Sequence, residues 1–219
     1  MYDNLLHQTI SEQLKSDLDS KQFPGSVLFS GPQGSGKLTA ALETARILSC
    51  TETPHAMWNC SCPSCLQHKA LVSGNLILTG PRDCTPEIAA ASYAFLQAAA
   101  NNASYLTAAR YLFLRSVRKL TMRFSPVLWN DDDKINKIAA VTSEIDEELE
   151  TVDFPHNLPD FKTVEKTCGK LVDLCQKLEK DFLYASIPIS HIRNVSSWAR
   201  MKSSGGTKTI IIENADRML

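Results

Sequence analysis

Ser26-Val27-Leu28-Phe29-Ser30-Gly31-Pro32-Gln33-Gly34-Ser35-Gly36-Lys37-Leu38-Thr39 carries a short apolar run into a glycine-rich turn and then a lysine. The segment that follows, Thr39 to Leu48, is helix-compatible, so the predicted order is strand, loop, helix. Glycines in such a loop let backbone N–H groups converge on phosphate oxygens, and the helix N-terminus adds positive potential. Lys37 would reach the β- and γ-phosphates as a point charge. An ordinary strand–turn–helix explains the glycines but gives no reason for the lysine. Gly31, Pro32, Gln33, Gly34, Ser35, Gly36, Lys37, Leu38 and Thr39 therefore form the candidate nucleotide-binding segment. One position departs from the pattern. Leu38 stands where Ser or Thr normally places a hydroxyl on Mg²⁺, and Thr39 comes one helical step of about 100° too late. Backbone binding of phosphate survives that change, but it argues against metal-assisted hydrolysis.

Around this stretch, the 219 residues are enough for one or two domains with a real core. Charge is nearly balanced at −1, with 23 basic and 24 acidic residues, so no overall basic field marks the chain for nucleic acid. No apolar run reaches the length of a membrane span, and the polar start (Asp3, Asn4, His7, Gln8) is not a signal peptide. Seven cysteines, an odd number with four clustered, point to a reducing cytoplasm and a metal site rather than a disulfide framework.

Residues 1–25 read as a short extended piece and an amphipathic helix capped by Ser11, with Leu14 and Leu18 on one face. After the loop helix, Cys50, Cys60, Cys62 and Cys65 place four thiolates within sixteen residues, which suits tetrahedral Zn²⁺ in a structural site. Cys60-x-Cys62 is tighter than the usual two-residue spacing, which leaves His55 or His68 open as a substitute ligand. A short helix and a strand, Asn75–Thr79, come next. From Cys84 the composition turns helical. Thr85-Pro86-Glu87 starts an Ala-rich helix, Ser104–Phe124 forms an Arg-rich one, and an acidic helix carries Ile135, Ile138, Val141, Ile145 and Leu149. A last helix sets Val164, Cys168, Leu171, Cys175, Leu178 and Phe182 at steps of four and three, the seam of packed helices. Asp131-Asp132-Asp133 reads as a helix cap rather than a metal cluster, and the arginines as intramolecular partners rather than a DNA stripe. Beyond residue 186 a helix capped by Ser190 turns Ile192, Val195 and Trp198 inward. The run Lys208 to Asp216 then gives an apolar strand ending in Glu213 and Asn214, the arrangement that presents a carboxylate opposite a phosphate-loop lysine.

These residues together resemble the clamp-loader branch of the AAA+ proteins, and more narrowly the delta-prime subunits of bacterial DNA polymerase III. The resemblance rests on Phe23 through Pro32, Gly34-Ser35-Gly36-Lys37, Ala41, Ala45 and Leu48, the four cysteines, Ile189-x2-Ile192-Arg193, and Lys208 through Met218. It implies an α/β fold: an incomplete AAA+ core over 1–83 and 187–219 with a parallel sheet flanked by helices, a zinc module at 50–65 within it, and an all-helical insertion at 84–186. The family's sensor, arginine-finger, lid and collar segments lie past the position where this sequence stops, so the chain reads as an N-terminal portion. The implied function is that of a stator that helps a hetero-oligomeric ring load the sliding clamp on primed DNA. Its partners would be the delta and gamma/tau subunits, with clamp and primer–template DNA met through the assembled complex. Structural Zn²⁺ and bound ATP or ADP would be its cofactors, with adenine met around Asn4–Gln8. No catalytic residue is assigned. Glu213 stands where an Asp would hold Mg²⁺, and Asn214 where a Glu would polarise water, which a carboxamide cannot do. Two alternatives stay open: an active gamma/tau-type ATPase, and a phosphate-loop small-molecule kinase with a zinc lid.

Overall fold

The computed structural model describes all residues except 4, 6, 7, 53–55, 82, 131, 204, 218 and 219. Asn4, His7, His55, Asp131 and Met218, which entered the sequence reading, lie outside the described residues. The chain divides into two compact units, one of Met1–Leu76 with Ser203–Ile211 and one of Ile77–Lys202 with Ile212–Leu219.

In the first unit, α1 (Ile10–Asp19) buries Leu14, with Leu18 packed beside it. Thr9, not Ser11, precedes the helix, and the Ser11 hydroxyl donates to Gln8 O instead of capping. α2 (Lys37–Ser49) begins at the loop lysine and ends at Cys50. α3 (Pro63–Ala70) starts with Pro63 in its first turn, and the Cys62 sulfur accepts the Cys65 N–H. Tyr2, Ala40, Ile47 and the cysteines share one small core. The strand expected at residues 26–30 does not form, and Leu28 is 83 % exposed. A strand needs a neighbour's edge, and the described residues supply only one two-stranded sheet.

That sheet pairs β1 (Leu76–Thr79) with β2 (Thr209–Ile212). The Thr209 N–H donates to Asn75 O within the first unit, and the Glu213 N–H to Thr79 O within the second, so the strands run parallel.

The second unit is built on helices α4 (Thr85–Ala100), α5 (Leu106–Thr121), α6 (Ile135–Val152) and α7 (Phe161–Phe182). Most of the seam read from the sequence is buried: Val164, Cys168, Leu171, Cys175 and Leu178 face the core, and Phe182 packs half-buried against it. α4 packs on α5 and α7, and α6 packs on α7. Lys170 bridges Glu144 and Glu148 across the α6–α7 pair. Arg110 is buried and donates to the carbonyls of Val152, Asp153 and His156, which anchors the α6–α7 connection. The Glu179 carboxylate accepts the Cys84 and Thr85 N–H groups and so caps α4 from α7. Asp132 accepts the Lys134 N–H and the Tyr184 hydroxyl, a turn role rather than a metal one.

α8 (Ile189–Arg200) is preceded by Pro188 and has no side-chain cap, so Ser190 does not serve as one. His191, Val195 and Trp198 turn inward, while Ile192 is only half-buried. His191 lies edge-on to Trp129, which stacks on Phe124 and Tyr184. Burial pushes the His191 imidazole below its ordinary range, against a smaller upward pull from Asp132. The folded protein therefore resists a proton that the unfolded chain accepts near pH 6.5, so this stability is present above about 6.5 and lost as pH falls below it. Thermal unfolding between pH 7.5 and 5 should show a decline worth at most about 1.4 kcal/mol per pH unit from this group. His191→Phe should flatten that decline, and an unchanged slope in the variant would remove His191 as its source.

Candidate nucleotide and metal sites

The loop before α2 has the backbone that phosphate binding requires. Gly34 and Gly36 take φ of 78° and 81°, in the left-handed region where a side chain is strained. Gly36 is the residue before the helix, so the first N–H groups of α2 open onto the loop with no carbonyl behind them. Lys37 folds back over this turn: its Nζ donates to Gly31 O at 2.8 Å and Pro32 O at 2.6 Å, and approaches Ser35 Oγ at 3.4 Å. An ammonium so placed is satisfied by loop carbonyls. Leu38 is half-buried and Thr39 exposed.

At the other end of α2, the sulfurs of Cys50, Cys60, Cys62 and Cys65 all lie within 4.8 Å of one another. Cys50 and Cys60 are separated by 3.8 Å, and tetrahedral Zn–S bonds of about 2.3 Å require sulfurs about 3.8 Å apart. The four could hold a metal ion, and an all-thiolate set is one that Zn²⁺ favours. N–H groups point at the sulfurs: Ala56 N donates to Cys50 at 3.3 Å, Cys65 N to Cys62 at 3.4 Å, and Arg46 Nη1 to Cys65 at 3.1 Å. Burial raises the Cys62 thiol, but donation from the Thr51 and Cys65 backbone and neighbouring thiols outweighs it and brings it down to about 6. His68 is not one of the four donors; it is buried with neither ring nitrogen hydrogen-bonded, and burial, then Arg46, lowers it to about 4.

Sequence reasoning passed over Glu43 and Arg46, which are both 2 % exposed and form a bidentate pair at 2.7 and 2.8 Å. Arg46 also donates to Ala56 O and Met57 O, and Glu43 accepts the Tyr2 N–H. An opposite-charge pair three residues apart, set among Ala41, Leu42, Ala45 and Ile47, was the available signal.

At the end of β2 in the second unit, Glu213 pairs with Arg123, which follows α5 in the 3-10 turn Met122–Phe124. Asn214 takes φ of 49° and its Nδ2 donates to Pro81 O at 2.9 Å. Asp216 lies in the 3-10 turn Ala215–Arg217 and is exposed.

A family model described as DNA polymerase III, delta subunit, matches residues 6–126, more than half of the chain. The chain belongs to that family. No curated protein and no solved structure matches it. Membership in the DNA polymerase III delta-subunit family supports a role in the clamp loader, in DNA replication. The matched span takes in the glycine-rich loop before α2, the cysteine cluster, β1, α4 and α5. No helix among the described residues is long and apolar enough to cross a membrane.

Protein of this family member purified without chelator should carry about one zinc per chain. Cys62→Ser should cut the metal content by more than half and lower the thermal midpoint, because binding at such a site is also folding free energy. Absence of zinc from the wild-type protein would contradict the assignment.

Proposed function

We propose that the chain is a delta-prime-type stator of the DNA polymerase III clamp loader, which binds nucleotide in its phosphate loop and hydrolyses it weakly or not at all. One observation carries the distinction from a motor subunit. Position 214, where a hydrolysing relative needs a carboxylate to polarise water, is a carboxamide whose Nδ2 donates to Pro81 O. Leu38 at the metal-hydroxyl position agrees with it. The left-handed Gly34 and Gly36 and the placement of Lys37 support retained phosphate binding. In this reading the four cysteines hold structural Zn²⁺, and residues 84–186 form a helical module within an AAA+ core made of residues 1–83 and 187–219. The protein acts in the cytoplasm in a ring with delta and gamma/tau subunits, and meets the sliding clamp and primer–template DNA through that assembly.

ATP binding and turnover, measured on one preparation with and without Mg²⁺, test this. Binding should be saturable, and Lys37→Ala should weaken it by about 10- to 100-fold, the value of a charged hydrogen bond to phosphate. Turnover by the protein alone should stay at background, and the protein should co-elute with gamma/tau and delta subunits. Vigorous turnover without partners would bring the motor or kinase reading forward.

A further inference from the structure

The guanidinium of Arg123 is 1 % exposed, and three of its nitrogens are spoken for. Nε donates to Gly80 O at 3.3 Å, Nη1 to Lys119 O, and Nη2 to the Glu213 carboxylate, whose side chain is 15 % exposed. The Arg123 carbonyl in turn accepts the Trp129 indole N–H at 2.9 Å. The residue is thus fixed at both backbone and side chain, and it cannot swing into solvent without stranding a buried charge. The backbone that carries the carboxylate is held as well. Glu213 N–H donates to Thr79 O, and a side chain at Gly80 (φ 133°) would overlap the Glu213 carbonyl.

We infer that Arg123 is a built-in counter-ion that takes the place of a divalent cation at Glu213, and that the helical block thereby removes this carboxylate from metal chemistry. The argument is electrostatic and geometric. Mg²⁺ or Mn²⁺ demands near-octahedral oxygen ligation and keeps much of its water. On Glu213 it would lie beside a fixed, desolvated positive charge. Arg123 Nη2 already makes a charge-assisted hydrogen bond to the carboxylate, which a second cation would have to break. The inference rests on reading Glu213 as the acid at the end of a phosphate-loop strand. It gives residues 84–186 a local task at that strand end, quite apart from any partner they meet.

Mn²⁺ titration followed by electron paramagnetic resonance tests it on the full chain at constant ionic strength, with no chelator, since Mn²⁺ prefers oxygen donors and leaves a thiolate site to zinc. Wild type and Glu213→Gln should give the same curve. Arg123→Met should gain one Mn²⁺ site at least about tenfold tighter than any in wild type, and Arg123→Met/Glu213→Gln should lose it. A wild-type Mn²⁺ site that Glu213→Gln abolishes would overturn the inference, and so would a folded Arg123→Met protein that gains none. If Arg123→Met fails to fold, the comparison of wild type with Glu213→Gln still decides. ATP binding without Mg²⁺ is read separately. Its absence would sink the nucleotide reading and leave the Mn²⁺ result standing.

Discussion

A guanidinium buried to 1 % exposure has to be paired, and around Arg123 that requirement organises the second unit. It ties the 3-10 turn after α5 to the carbonyl of Gly80 at the end of β1 and to Glu213 at the end of β2. Gly80 must be glycine there, because the two strand ends approach too closely for a side chain. Trp129 closes over the same turn through its indole N–H, and its ring begins the stack that runs to Tyr184 and His191. The apolar core of α4 to α7 is continuous with this aromatic cluster. A single ion pair therefore sits where the helical block meets the sheet.

The first unit depends on a different device, the helix α2. Its thirteen residues span about 20 Å. Lys37 at its start folds over the glycine loop, the Glu43–Arg46 pair lies buried in its middle, and Cys50 just past its end carries the first of the four clustered sulfurs. Arg46 is the joint between helix and knuckle, since it donates to Cys65 and to the carbonyls of Ala56 and Met57. Four thiolates on a divalent metal would carry excess negative charge, and the guanidinium held by Glu43 would offset part of it. The glycine loop and the cysteine cluster thus lie at the two ends of one helix.

What could be read in the sequence was local, and what could not be read was long-range. The α7 seam and the four-cysteine cluster follow from spacing alone, and the structure places them accordingly, while α2 runs two residues earlier and one later than Thr39–Leu48. The run Val27-Leu28-Phe29 has strand composition, yet strand formation depends on a neighbour that composition does not name. Ser11 and Ser190 have the chemistry of caps, but the helices begin one residue earlier in each case, at Ile10 and Ile189. Arg123 was one of five basic residues in the Arg-rich stretch, and its partner lies 90 positions away. His191 was hidden because Ile192 is the more apolar neighbour, whereas the aromatic stack on Trp129 draws the imidazole inward.

The measurement that tests the central claim most directly is the ¹⁵N-detected nuclear magnetic resonance spectrum of the arginine side chains in the wild-type protein. A guanidinium held by Gly80, Lys119 and Glu213 should give Arg123 a resolved Nε signal and separate Nη signals, slow to rotate and protected from solvent exchange. Averaged, rapidly exchanging Nη signals at Arg123 would mean that the guanidinium is free of Glu213, and the account of this strand end would be wrong.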